Sequence, residues 1–275
     1  MSKYYNPQAG GDHRILHAVD VVSQLNGTTL NLMSNRSLRK FGQNPDSDTG
    51  EYETVWTLGD NETYQTTNSI DTISSSNAAD DQVISLAGFT ISGSGLLTRV
   101  EQTVTLDGQN KVLLSTPLAR VERGFNISAT DTLGEVYVYR DTTLTDGVPT
   151  DLTMAHLQIE AQFQQSQKCA LTTAQGEYLF VMSAGVATLA GLTASSDFSL
   201  ETRLIDPPGL VFRNKLLISS ANPGGASFIE LNPVLIVAPN TDVRMRSKSS
   251  VNNQSVTAFI SGYYMNISNY ISPDA

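Results

Sequence analysis

Two histidines four positions apart, His13 and His17, would share one face of a helix, the spacing at which two imidazoles can hold a metal ion. Without a supporting set of ligands they read as surface or interface histidines. His156 opens a strand-like run and reads as a hydrogen-bonded polar residue. The lone cysteine, Cys169, lies in an alternating apolar-polar run with no activating motif beside it, so it reads as a small buried side chain and not as a nucleophile. Paired loop acids, Asp46 with Asp48 and Asp80 with Asp81, are conceivable calcium ligands. They lack the glycine and distal glutamate of an EF-hand and read as solvated carboxylates. Asp71 and Glu201 could act as an acid/base pair only if folding brought them together. Gly88 and Gly93-Ser94-Gly95 flank a strand without a helix after them, and a phosphate cradle needs that helix N-terminus, so they mark a turn. No GxSxG, GxxxxGK[ST] or HExxH pattern occurs. The expectation is a non-enzymatic protein with no catalytic residues, no cofactor and no metal.

Cations are the other candidates. Arg244, Arg246 and Lys248 alternate with Val243, Met245 and Ser247, so a strand there presents three positive charges on one face. That pattern suits either a solvated edge that discourages strand pairing or a contact with an acidic neighbour. Arg120 and Arg123, ahead of Phe125, allow the same two readings.

The elements that must carry these residues are strands. Charged residues make up 16% of the 275, and Ser, Thr, Asn, Gln and Gly fill the gap, a mix that suits antiparallel sheets with hydroxyl and amide groups on the wet face. Val100-Glu101-Gln102-Thr103-Val104-Thr105-Leu106 alternates apolar with polar residues. Asp107-Gly108 follows, then Lys111-Val112-Leu113-Leu114, which predicts a hairpin closed by a type I′ turn. Similar runs occupy residues 53–58, 82–91, 135–139, 157–163, 179–182, 199–204, 211–218, 227–231, 234–238, 242–247 and 255–265, with Asp206-Pro207-Pro208-Gly209 as a break. Turns every 8–12 residues or so and no long helix predict an all-β chain of two consecutive antiparallel β-sandwich, jelly-roll-like modules, residues 51–164 and 165–275.

Residues 1–50 differ. Asp12 could cap a short helix with Ile15, Leu16, Val19 and Val22 on one face, stopped by Asn26-Gly27. Arg36, Arg39 and Lys40 follow, and Pro45 to Gly50 read as linker. This is an extended or short-helical arm expected to dock on the main body or on a neighbour. Tyr4, Tyr5, the Ile15/Leu16/Val19/Val22 face, Arg36, Arg39, Lys40, Arg244 and Arg246 are the candidate contact residues.

The net charge of -10 would be repelled by phosphate backbones, so nucleic acid is not an expected partner. Apolar runs such as Val234-Leu235-Ile236-Val237-Ala238 are strand-length, so no membrane span is expected. Met1-Ser2-Lys3-Tyr4-Tyr5-Asn6-Pro7 lacks an apolar signal core, and the expected site of synthesis is a cytoplasm.

Several stretches carry a resemblance. They are Glu53-Thr54-Val55-Trp56 with Gly59 and Tyr64, Leu86-Ala87-Gly88-Phe89, the run from Val100 to Gly108, Arg120-Val121-Glu122-Arg123, and Asp242-Val243-Arg244-Met245-Arg246. Ser249-Ser250, Asn252-Asn253, Val256 and Gly262-Tyr263-Tyr264 complete the set. In this order, over residues 51–267, the chain resembles the jelly-roll virion proteins encoded beside the capsid genes of tailed bacteriophages, often head decoration or cement proteins. The resemblance implies a homotrimer on the outer surface of a phage head, clamping neighbouring subunits of the major capsid protein. Residues 1–50 have no counterpart in that pattern, and relatives of this kind also serve as tail or baseplate components. The competing expectation is a receptor-binding protein gripping host saccharide with Tyr64, Tyr263, Tyr264 and Tyr270. A polysaccharide-cleaving enzyme has no motif behind it.

Overall fold

The computed structural model describes residues 36–189, 195–205, 211–220 and 225–266, with Arg36 and Asn266 as backbone alone. Tyr4, Tyr5, His13, His17, Ile15, Leu16, Val19, Val22, the Asp206 to Gly209 break and Tyr270 lie outside the described residues.

Strands dominate. In chain order they are β1 (Arg36–Ser47), β2 (Glu53–Thr54), β3 (Ile70–Ser75), β4 (Val83–Ile91), β5 (Leu97–Thr105) and β6 (Val112–Leu118). Next come β7 (Arg120–Asn126), β8 (Val136–Tyr139), β9 (Leu144–Thr145), β10 (Val148–Pro149), β11 (Ala155–Ile159) and β12 (Ala170–Thr172). The last six are β13 (Glu177–Thr188), β14 (Ser196–Leu204), β15 (Arg213–Ser220), β16 (Ala226–Val237), β17 (Thr241–Ser249) and β18 (Gln254–Asn266). A single 3-10 turn, Leu152–Met154, is the helical element among the described residues.

The all-β expectation holds. One sandwich faces the sheet β11-β8-β3-β6 against β5-β4-β7, and Ile73, Ile84, Leu86, Leu118, Val138, Leu157 and Ile159 fill its core. The other faces β1-β18-β13-β16 against β12-β17-β14-β15, with β2 also paired to β17, around Leu179, Val181, Phe198, Leu200, Val243, Met245 and Ile260. Period-two patterning produces this directly. Along β18, Val256, Ala258, Ile260 and Tyr264 are buried, while Phe259 and Tyr263 alternate with them on the outer side.

Two sequence readings are corrected. Residues 36–47, read as part of the arm, form an edge strand of the C-terminal sandwich, with Phe41 opposite Phe259 and Lys40 opposite Ile260. Leu38 joins the core, and Gly42 lets β1 approach closely: a Cβ there would overlap the Cys169 amide nitrogen and the Val55 carbonyl oxygen. The polar surface of β1 hid it, because an edge strand buries one flank only. The C-terminal sandwich is therefore assembled from both ends of the described chain.

The second correction concerns Asp107-Gly108. Gly108 does adopt a positive φ of 54°. The strands on either side are not hairpin partners, since β5 pairs β4 and β6 pairs β3. The Gly108 amide donates to the Asp80 carbonyl at 2.7 Å, and the chain crosses there from one sheet to the facing one. A turn signal specifies local backbone, not which strands meet.

Gly42→Ala should therefore lower stability by about 2–4 kcal/mol through overpacking against fixed backbone. The check is urea unfolding followed at Trp56; an unchanged midpoint would contradict the close approach.

Candidate interaction surface

The residues best equipped for chemistry converge where the two sandwiches meet, and they are spent on one another. Asp242, on β17, is fully buried. It receives a bidentate pair from Arg120 of β7, Nε to Oδ1 at 2.9 Å and Nη2 to Oδ2 at 3.1 Å. Arg203 Nη2 donates to Oδ2 at 2.6 Å and Thr172 Oγ1 to Oδ1 at 2.9 Å. Burial pushes the Asp242 carboxyl up, but the Arg120 and Arg203 guanidinium groups outweigh it and hold the group below its ordinary value.

Around this pair the seam is stitched further. The Lys168 ammonium is bound by the Glu62 carboxylate, the Val121 carbonyl at 2.9 Å and the His156 carbonyl at 3.1 Å. Glu122 accepts from the Thr172 amide and from Arg99 Nη1 at 3.4 Å. The Lys40 ammonium donates to the Glu122 carbonyl, and burial lowers its pKa to about 8 against the pull of the Glu122 charge. The crevice between Glu62, Tyr64, Arg120, Glu122 and Lys168 has no room for a water molecule. These groups tie β7 of one sandwich to β1, β12 and β17 of the other.

The candidates among the described residues have places in the fold. Arg244 and Arg246 do not stand on a solvated edge: β17 is an inner strand, and both guanidinium groups bind Glu201 at 2.9 Å. Arg244 also lies 3.7 Å from the Phe212 ring centroid. Lys40 is engaged inside the seam, whereas Arg39 is exposed. Glu201 and Asp71 stand in different sandwiches. Asp71 accepts from Thr72 and from the Asp141 amide and forms no pair with Glu201. Asp80 is not solvated: it is buried and accepts from Ser75 Oγ at 2.5 Å, the Leu133 amide at 2.8 Å and the Gly134 amide at 3.0 Å, tying two turns together. His156 is buried beside Gln65, and burial, then Lys168, lowers its pKa well below 6.5. Cys169 is buried and pushed up to about 12 by burial, consistent with a packing role. Among the described residues no group of three His, Cys, Asp or Glu side chains could hold a metal.

Sequence reasoning missed the most conspicuous surface feature, the outer face of β1-β18-β13-β16. One cross-strand row runs Phe41, Phe259, Gly185, Phe228. The three phenylalanines are 41%, 38% and 58% exposed, so the row faces outward. The Phe228 and Phe259 rings stack at 6.0 Å and 23°. Gly185 is needed beneath them, since a Cβ would overlap the Phe259 ring. A second row, Ser37, Tyr263, Phe180, Ile236, adds two more exposed side chains, Tyr263 and Ile236. The legible signal was an aromatic at the wet position of an alternating strand, as at Phe259 and Tyr263. Of the described tyrosines considered for saccharide, Tyr264 is buried, Tyr64 lies between Phe212 and the seam arginines, and Tyr263 stands on the face.

No family model and no curated protein matches this chain. Among solved structures it is similar to the N-terminal CBM22-1-CBM22-2 tandem domain of Paenibacillus barcinonensis Xyn10C, at 10% identity and a TM-score of 0.24, covering 86% of this chain and 94% of that one. It is also similar to infectious bursal disease virus Gt strain, at 11% identity and a TM-score of 0.22, covering 86% and 73%. The VP2 subviral particle of the same virus gives 12% identity and a TM-score of 0.22, covering 86% and 72%. At that level neither the module nor the virus lends this chain its ligands or its assembly.

Asp242→Asn should cost about 3–5 kcal/mol, because it leaves Arg120 buried without its counter-charge. A carboxyl held below its unfolded value of 3.8 contributes stability that is complete above that pH and lost as the pH falls through the lower folded value. The gap between wild type and Asp242→Asn, measured by denaturant unfolding, should therefore be constant from pH 7 to about 5 and shrink below 4. A gap independent of pH would count against the assignment.

Proposed function

We propose that this chain is a virion structural protein of tailed-phage type, a head decoration or cement protein that works through its surface. The single observation behind this reading is the outward aromatic row Phe41, Phe259, Phe228 on a sheet whose edge strand β1 is tied to the buried ionic seam through Lys40. Contiguous exposed apolar surface on a folded body marks a contact with another molecule. The resemblance fits the same picture: Arg120, Glu122 and Asp242 belong to the quoted stretches and lie in the seam between the sandwiches, while Arg244 and Arg246, from the same stretches, pair with Glu201 within the C-terminal one. A cement protein adds buried area across capsid seams, and a rigid body transmits that constraint between the subunits it touches. In this reading the segment before Arg36, with Tyr4, Tyr5 and the Ile15/Leu16/Val19/Val22 face, anchors the protein to the major capsid protein.

A second reading has an observation of its own. Aromatic rings on a sandwich face can stack on sugars, and the polar row Arg39, Ser261, Ser183, Glu230 runs between the two apolar rows. A tail or receptor-binding protein would use such a face on host saccharide.

Copy number separates the two. Quantified against the major capsid protein in purified particles, hundreds of copies support cement, whereas a handful place the protein on a tail or vertex. Deleting residues 1–45 would remove most of β1, so the anchor is tested in the whole chain. Leu16→Asp with Val19→Asp should reduce occupancy on heads about tenfold or more; full occupancy would end the anchoring role. Binding of glycans by the isolated protein, abolished by Phe228→Ala, would favour the saccharide reading.

A further inference from the structure

The row between the two apolar rows holds the asymmetry that identifies an occupant for this face. Across the sheet it runs Arg39 on β1, Ser261 on β18, Ser183 on β13 and Glu230 on β16. The two serines are hydrogen-bonded at 2.6 Å. Arg39 and Glu230 are exposed, one on each edge strand, and neither has an ion-pair partner among the described residues. They are the charged side chains of these three rows, so on a chain of net charge -10 the face itself is neutral.

A surface with a cation at one edge, an anion at the other and apolar rows along its length is complementary to itself. Let a two-fold axis lie between two such faces, parallel to the strands and passing between β18 and β13. The operation exchanges the two edges and leaves position along the strands unchanged. Arg39 then stands opposite the second copy's Glu230, and Glu230 opposite its Arg39. The Phe41-Phe259-Gly185-Phe228 row meets its own image, with Phe41 opposite Phe228 and the two Phe259 rings, each lying over Gly185 of its own copy, meeting near the axis. An axis perpendicular to the strands would instead set Arg39 against Arg39, so charge selects the first arrangement.

The size is sufficient. Four strands spaced about 4.8 Å apart and nine residues long at about 3.3 Å each give a face of roughly 19 by 30 Å. Two such faces bury on the order of 1,100 Å2 together, which clears the ~1,000 Å2 expected of a specific interface. Sheets packed this way sit about 10 Å apart with strands within about 30° of alignment, as the facing sheets of a sandwich do.

We infer that the outer face of β1-β18-β13-β16 pairs with the same face of a second copy of this chain, Arg39 of each copy meeting Glu230 of the other. The inference rests on reading this face as a protein contact. It replaces the three-fold self-association implied by the phage resemblance with a two-fold one.

The test is sedimentation equilibrium of the full chain over a concentration series. Wild type should fit a monomer–dimer equilibrium. Arg39→Glu and Glu230→Arg should each raise the dimer dissociation constant about tenfold or more, because each sets two like-charged pairs face to face. The double variant Arg39→Glu/Glu230→Arg should return to the wild-type constant. Within one molecule the two positions are three strands apart, roughly 14 Å, beyond a Debye length of ~8 Å, so recovery reports a contact between copies. All these substitutions are at exposed positions, and unchanged circular dichroism confirms folding. A protein that is monomeric throughout, a trimer, or a double variant that does not recover overturns the inference. So does dimerisation that arises only in Leu16→Asp/Val19→Asp, which would make the leading segment the occupant. Occupancy of the charge variants on heads is scored separately: full occupancy without dimers sinks the pairing and leaves the cement reading standing.

Discussion

Asp242 has been taken out of water, and a carboxylate in that position must find its solvation in the protein. Desolvating a charge costs several kcal/mol, and the cost is offset only when donors are supplied in good geometry. Here the donors are Arg120, Arg203 and Thr172, which arrive from β7, β14 and β12. One lies in the N-terminal sandwich and the others in the C-terminal one, so the carboxylate is satisfied only when the two bodies are docked in a single relative placement. Lys168 and Glu122 repeat the logic a few ångströms away, each reaching backbone groups across the same seam. Apolar docking could have held the sandwiches together with more freedom to slide; charges that must be paired do not allow it.

A fixed relation between the sandwiches would matter to the proposed use of the outer sheet face. An aromatic row on a flexing body would lose to conformational entropy much of what it gains by burying area. On a sheet whose inner side is a closed core and whose edge strand β1 is tied to the seam through Lys40, the phenylalanines are presented at low entropic cost. In the proposed reading the seam and the face are two parts of one arrangement, the seam setting the geometry in which the face would meet a partner.

The groups that could have done chemistry share a fate. Asp80 closes turns, Glu201 neutralises two arginines, His156 is buried and held neutral, and Cys169 fills space beneath β1. In each case the group is taken up by packing or pairing inside the fold.

Many of the strands were legible in the residues themselves. Alternation of apolar and polar residues is local, and most of β4, β5, β8, β14, β15, β17 and β18 could be read from it, because each strand records in its own residues which side will be dry. It did not determine partners. Asp107-Gly108 marked a turn but not that the chain there changes sheets, and the polar residues 36–47 concealed an edge strand whose neighbour is more than 200 positions away. Charge was misread for the same reason. Arg244 and Arg246 look like a solvent-facing stripe until β14 brings Glu201 alongside, and Arg39, Ser261, Ser183 and Glu230 become a row only when four strands from four separate segments of the chain lie side by side. Whether a side chain faces water depends on local period, but what it meets depends on pairing between distant segments, and that is decided by the fold.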